Sequence, residues 1–345
     1  MGRDRTSHRL RVALLGGGNI GQALVALLGA RPELAVRLWS SRAEREEPIV
    51  VRLESYAREV YCTGTALLTP DLRAATHLAD IAILVVPGHF RGELFQRLSD
   101  GGLPPVIISW EGAGYFDQLI EPYAGVTAIG FQRSPLVCNV VHQWRAVRLA
   151  GARSKVIAAT VRSSDTASAH ALLSSLLPFK VCMAPTYECI VLSPGNPLIH
   201  PARLFACRRH SSGRLAGERF YRDWNDESSS VLLRMHAELA HLRNRLHLPR
   251  RFIATLADRK PLLTSRALTE ETRAEKTLHR VRFPSLVEGP IRFDPSHRFL
   301  REDIGESLRR MLSVASTSGV KMDQCAQVFD WHRSADETRP IEGSC

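Results

Sequence analysis

The sequence predicts an α/β chain: a doubly wound parallel N-terminal sheet followed by a mainly helical C-terminal domain. Three observations carry this. A glycine-rich turn stands between an apolar run and a helical pattern near the start of the chain. Apolar runs of strand length then alternate with helical patterns, which is the signature of a parallel sheet. Beyond Pro185 the pattern becomes mainly helical. With 345 residues the chain is long enough for two domains with proper cores, and the expected division is residues 1–185 and 186–345.

Val12 to Leu15 has the length of a buried strand. Gly16, Gly18 and Gly21 then fit G-x-G-x-x-G, and Ile20, Leu24, Leu27 and Leu28 continue at helical spacing. Gly16 permits the tight turn, Gly18 lets the backbone approach a pyrophosphate, and Gly21 lets helix and strand pack closely. The helix start offers its N–H groups to phosphate. The strand–turn–helix context predicts a Rossmann dinucleotide site at Gly16, Gly18, Asn19, Ile20 and Gly21. About twenty residues on, an NAD site usually carries an acidic residue for the ribose hydroxyls. Here the run Leu34–Trp39 ends in Ser40, Ser41 and Arg42. Two hydroxyls and a guanidinium suit a 2′-phosphate, so NADP(H) is preferred and NAD(H) remains possible.

Val50 to Leu53 and Thr65 to Leu68 read as short strands, with Ala43 to Glu47 exposed before them. Asp71 to Leu78 reads as a helix, Ile81 to Val86 as a strongly apolar strand, and Phe90 to Leu98 as an amphipathic helix. Val106 to Ile108 and Val126 to Phe131 are further strands. Ligands of such sheets bind at the carboxyl ends of strands, so the turns after Val86 and Ser109 should face the cofactor. Val147 to Thr160 reads as two strands and Ala167 to Leu177 as a helix. In the second half, Ser228 to Leu246 is the clearest long helix, with Val231, Leu232, Met235, Leu239, Leu242 and Leu246 on its buried side. Glu302 to Ser313 and Met322 to His332 read as two more. Neither a repeat nor a low-complexity tract is present.

Composition narrows the class. The net charge is +11, but the arginines are spread out with no basic block and no nucleic-acid motif. An anionic cofactor with carboxylate substrates explains the sign, and no nucleic-acid partner is expected. No apolar run reaches the length of a membrane span, so no membrane partner is expected. Met1 to Arg11 lacks the apolar segment of a secretory signal. The seven cysteines form no C-x-x-C and no zinc spacing, so no metal site is expected and a reduced, cytoplasmic setting is.

The second informative stretch is Ser193 to Leu204. His200 precedes Pro201, which biases it towards extended backbone, and Pro201 suits the first position of a helix. The expectation is an imidazole at a helix mouth. On its own, such a histidine is more often structural than catalytic.

With the fingerprint Gly16–Gly21, three further segments resemble the octopine/nopaline (opine) dehydrogenase family: Asn196-Pro-Leu-Ile-His200, Phe220-Tyr-Arg-Asp-Trp-Asn-Asp-Glu-Ser-Ser229 and Arg298-Phe-Leu-Arg-Glu-Asp303. Together they span most of the chain. The resemblance implies a Rossmann domain, a helical domain, and an active site between them that joins the amine of an amino acid to a 2-keto acid using NADH or NADPH. It implies that His200 is the catalytic histidine, Asp303 the carboxylate paired with it, and Arg298 the arginine that holds the keto-acid carboxylate. Asn196 is counted with the substrate-binding residues. The chemistry suits these types. Imine formation and reduction need protons moved at oxygen and nitrogen, which a histidine can give and take. An arginine can grip a carboxylate through two parallel N–H bonds.

Tyr221 and Trp224 are open between contact with the amine substrate and packing. The basic stretch of Arg208, Arg209, His210 and Arg214 is open between a substrate-facing segment and a loop. Three alternatives share these features: a branch making opine metallophores from larger amines, a 2-ketoacid or 2-hydroxyacid dehydrogenase without an amine substrate, and an NADP(H)-binding sensor without turnover. A homodimer is compatible with any of them.

Overall fold

The computed structural model describes residues 9–208, 219–284 and 293–337; Arg209, His210 and Arg214 lie outside them. The chain forms two compact units, residues 1–190 and 191–345. Tyr187 and Cys189, beyond residue 185, are tied to the first unit: Tyr187 Oη donates to the Gly112 carbonyl at 2.8 Å, and the Cys189 carbonyl accepts from Gln132 Nε2 at 2.7 Å.

In the first unit β1 (Leu10–Leu15) runs into α1 (Asn19–Leu28), followed by β2 (Leu34–Trp39), β3 (Glu47–Glu54), β4 (Val60–Thr69), α2 (Leu72–Thr76) and β5 (Ile81–Leu84). Then come α3 (Arg91–Ser99), β6 (Val106–Ser109), α4 (Phe116–Ile120), β7 (Thr127–Phe131), β8 (Leu136–His142), β9 (Ala146–Ala152), β10 (Lys155–Thr160), α5 (Thr166–Leu176), β11 (Lys180–Met183) and α6 (Glu188–Val191). The strands form one sheet in the order β11-β10-β7-β6-β5-β1-β2-β4-β3-β9-β8. From β7 to β4 every neighbouring pair is parallel. Those six strands have the order 6-5-4-1-2-3 of a Rossmann sheet, whose crevice opens where β1 meets β5. The central strands read as unbroken apolar runs because both faces are covered: Leu14, Leu38, Ile83 and Ile107 are fully buried. Helix α1 buries Ala23, Leu24, Val25 and Ala26 against this sheet, at about 1.5–3 kcal/mol for each large apolar side chain.

Outside the parallel core the strands depart from expectation. β3 and β4 are longer than their apolar centres, and the antiparallel ladder between them runs from Glu47–Leu68 to Glu54–Val60. Backbone pairing carries those polar ends, which periodicity does not register. Asp71 is the N-cap of α2 rather than its first residue, accepting from Arg73 N at 2.9 Å, and α2 ends before His77. β8 was not expected; it pairs antiparallel with β9.

The second unit contains α7 (Asn196–Cys207), α8 (Asp226–Arg245), α9 (Leu256–Arg259), α10 (Ser265–Ala274), a π-helical run (Phe299–Leu308), α11 (Arg309–Thr317) and α12 (Asp323–Glu337). α8 starts where Asn225 caps it, accepting from Ser228 N at 2.9 Å. Asp226 and Glu227 in its first turn and Arg243 and Arg245 in its last complement the helix dipole. Its buried side includes Val231, Leu232, Met235, Leu239 and Leu242, as the spacing predicts, whereas Leu246 lies beyond the last turn as the C-cap and is half-buried. α7 packs against α8 and against the π-helical run.

α7 corrects one expectation. It begins at Asn196 with Pro197 in its first turn, so Pro201 lies inside the helix and His200 is its fifth residue rather than a residue at its mouth. Pro201 removes one backbone bond, to the Pro197 carbonyl. Tertiary burial outweighs that loss, because Leu198 and every residue from His200 to Cys207 are buried.

Candidate active site

The glycine turn of the first unit is built from close approaches. Gly16 has φ +131°, and a Cβ there would stand 2.9 Å from the Val85 carbonyl oxygen. At Gly21 a Cβ would be 1.8 Å from the Gly16 carbonyl oxygen, so the helix starts only because that position has no side chain. At Gly18 a Cβ would meet nothing within 4 Å; the backbone there faces open space. Gly18 is also the N-cap of α1, so no side chain caps the helix, and its first turn holds no acidic residue. Bare N–H groups at the positive end of a helix beside an open backbone fit a pyrophosphate.

Side chains outside the fingerprint hold this turn. Gln22 is fully buried; its Nε2 donates to the Gly17 carbonyl at 2.9 Å, and its Oε1 accepts from Trp144 N at 2.7 Å. Asn19 Oδ1 accepts from Val140 N at 2.9 Å. The β8–β9 hairpin is thereby laced to α1, and Asn19 spends its side-chain oxygen on that hairpin. Ile20, next in the helix, is half-buried.

The turn after β2 lies beside the glycines, since Gly16 N donates to the Trp39 carbonyl at 3.0 Å. Ser40 is buried and its hydroxyl accepts from Arg42 N at 3.2 Å, so it shapes the turn from inside. Ser41 and Arg42 are exposed. On the other side of the crevice the buried Arg91 donates to the Ala113 carbonyl at 3.0 Å. It ties the turn after β5 to the turn after β6.

In the second unit α7 supplies His200, the π-helical run supplies Asp303, and the segment before α8 supplies Tyr221. His200 Nδ1 donates to Asp303 Oδ2 at 2.6 Å. His200 Nε2 lies 2.8 Å from Tyr221 Oη. Because the carboxylate can only accept, Nδ1 carries a proton, and in the neutral imidazole Nε2 accepts from the phenol. The imidazole is 2% exposed. Phe299 stacks on it at 3.6 Å between centroids and 24° between planes, and Phe220 meets it edge-on at 5.4 Å. π-helical geometry recurs at functional sites, and here it carries the carboxylate.

Tyr221 is fixed from behind. Its ring stacks nearly parallel on Trp224. Trp224 Nε1 donates to Ser229 Oγ at 2.9 Å, and the buried Arg203 of α7 donates to the Asp223 carbonyl at 2.6 Å. Burial first, then the charge of Asp303, push the Tyr221 phenol far above its ordinary range, with the charge of Arg298 acting in the opposite sense. Arg298 is exposed, with its guanidinium over the Phe299 ring at 5.5 Å. Burial, and next the Arg298 charge, lower the pKa of neighbouring His297. Asn196 is exposed in the first turn of α7. The structure therefore joins His200 and Asp303 directly, sets Arg298 within electrostatic reach of the same phenol, and leaves Asn196 out of the hydrogen-bonded cluster.

Residues 183–335 match the NAD/NADP octopine/nopaline dehydrogenase alpha-helical domain, and the octopine dehydrogenase of Pecten maximus is 22% identical over 93% of this chain and 89% of its own. The second half of the chain thus carries the helical domain of the octopine/nopaline dehydrogenase family. Residues 11–111 match the N-terminus of NAD-dependent glycerol-3-phosphate dehydrogenase. Among solved structures, an octopine dehydrogenase with NADH and pyruvate has a TM-score of 0.75 at 20% identity, covering 94% of this chain and 89% of that one. A yersinopine dehydrogenase with NADP+ has a TM-score of 0.71 at 15% identity, covering 96% and 91%. At these identities the structural likeness shows the fold.

Sequence reasoning missed Gln22, Trp144 and Arg91, and left Tyr221 undecided. The alternation of Leu136, Cys138 and Val140 was a signal for β8. No signal marked Gln22, whose role appears only when the hairpin is in place.

Proposed function

We propose that this protein is an opine-type dehydrogenase that condenses an amino acid, or an amine derived from one, with a 2-keto acid through an imine and reduces it with NAD(P)H. The observation that carries this is the buried His200–Asp303 pair at 2.6 Å, with Arg298 five residues before the carboxylate. The relatives agree: octopine dehydrogenase structures hold NADH with pyruvate, L-arginine or agmatine. In this reading the first unit is the dinucleotide-binding domain and the second the substrate domain, with the boundary a few residues beyond 185.

Arg298 holds the keto-acid carboxylate through paired N–H bonds and so orients the carbonyl carbon. His200 is the acid and base for the condensation. Asp303 keeps the proton on Nδ1 and stabilises the imidazolium when it forms. Asn196, at the head of α7, is assigned to the substrate. The N–H groups of the turn Gly16–Gly21, with Asn19 and Ile20 opening α1, hold the pyrophosphate. The bound nicotinamide supplies the hydride. NADPH is the preferred form, because the exposed Ser41 and Arg42 offer a hydroxyl and a guanidinium where a carboxylate would select NADH. Ser40 acts by shaping their turn. A cytoplasmic setting belongs to the same reading, and the free thiols of Cys62, Cys138, Cys182, Cys189 and Cys325 support it.

The test is the fall in nicotinamide absorbance with NADPH and with NADH, using pyruvate or 2-ketoglutarate against a panel of amino acids. Oxidation requiring both an amine and a keto acid is expected. Oxidation with the keto acid alone would replace this reading with a hydroxyacid dehydrogenase. Binding of NADPH without turnover across the panel would overturn this substrate set and leave a larger, metallophore-type amine or a sensor.

A further inference from the structure

We propose that Tyr221 is a catalytic residue: its hydroxyl passes the proton between His200 and the substrate, so that His200 acts through it. This rests on the opine-type reading above and concerns the same site.

The geometry leaves His200 no direct way out. Its Nδ1 is bonded to Asp303 and its Nε2 to Tyr221 Oη. One face is closed by Phe299 and an edge by Phe220. A ring 2% exposed with both nitrogens bonded can exchange a proton only through a partner. Asp303 is the wrong partner for delivery, because its charge is needed to keep Nδ1 protonated. Tyr221 is the remaining one. Its backing by Trp224 and Phe220 holds the ring in place, and the charge of Arg298 reaches its phenol. In this reading a keto acid whose carboxylate sits on Arg298, over the Phe299 ring that stacks on His200, places its carbonyl end at the Tyr221 hydroxyl. The raised phenol pKa suits a conduit, since Tyr221 stays protonated while the imidazole stores the charge.

The protons balance over the condensation. Neutral His200 first takes the Tyr221 proton at Nε2 as Tyr221 takes one from the ammonium group of the amino acid. The freed amine attacks the carbonyl carbon, the C–N bond forms, and a proton shift within the adduct gives the carbinolamine. His200 then returns its Nε2 proton to Tyr221 as Tyr221 gives its own to the carbinolamine hydroxyl. The C–O bond breaks, water leaves, and the protonated imine remains to accept hydride. His200 and Tyr221 end as they began.

The experiment compares Tyr221→Phe with the parent in the two-substrate assay. The variant keeps the ring and its stacking and removes only the oxygen. The expected result is a kcat about 10²-fold lower or more, the size of general acid–base catalysis, with KM for the keto acid and NADPH affinity within about twofold. The limb of the pH–rate profile that reports His200 should flatten in the variant. A merely structural role would lower Tm without changing that profile. A proton inventory in H2O–D2O mixtures needs no variant: a curved plot, from two protons moving together, is expected of the parent. Tyr221→Phe with parental kcat and pH profile, or a linear inventory in a parent limited by condensation, would overturn the relay while leaving the opine reading intact. A parent with no turnover on any amine and keto acid would remove the opine reading, and the relay with it.

Discussion

At Gly18 a side chain would meet nothing within 4 Å, whereas His200 is enclosed by Phe299, Phe220, Asp303 and Tyr221. One site works by leaving backbone bare, the other by spending every side-chain valence. The first holds an anion through N–H groups that are fixed once the helix starts, so it is positioned by omission. The second must store and move a proton, so each atom around the imidazole is committed to a tautomer. A binding turn of this kind tolerates change on its open side and none on its packed side. The histidine pocket tolerates little on any side.

The largest expected effect is at the pocket. His200→Ala should retain NADPH binding, followed by cofactor fluorescence, and lose about 10²–10⁴-fold in kcat. Parental turnover in that variant would remove the imidazole from the reaction and reduce the pocket to packing. The glycines separate the two sides of the turn. Gly21→Ala forces a Cβ to 1.8 Å from the Gly16 carbonyl oxygen. It should lower Tm by about 5 °C, as overpacking of 1–3 kcal/mol implies, and weaken NADPH sharply. Gly18→Ala should keep the parental Tm and lose NADPH affinity alone; equal losses of stability in both variants would contradict the distinction.

Smaller effects are expected at the exposed cations. Arg298→Ala should raise KM for the keto acid by about 10–100-fold, the worth of a charge-assisted bond, with kcat less affected. A change confined to kcat would move Arg298 from substrate binding to the proton pathway. Smallest is Arg42→Ala, expected to shift the ratio of NADPH to NADH efficiency towards NADH by about 10-fold, since a single exposed charge is screened by solvent. An unchanged ratio would place the selectivity elsewhere on the turn.

By itself the sequence determined the parallel core, the glycine turn and the long helix α8. Their signals are local. The glycine spacing is complete within the six residues from Gly16 to Gly21, and burial on two faces or on one stripe writes itself into periods of two and 3.6 residues. Resemblance added His200, Asp303 and Arg298 as isolated positions. What the tertiary structure decided is how they are used. Gln22 grips the glycine turn only because the β8–β9 hairpin returns to it more than a hundred residues later. Ser40 faces inward against Gly17, where a Cβ would stand 2.5 Å from its Oγ. Pro201 is carried inside α7, against its local preference, because nearly the whole helix is buried. Tyr221 meets His200 because Trp224, Arg203 and Phe220 hold its segment against α7. Each of these depends on contacts between residues far apart in the chain, whose energies no local propensity contains.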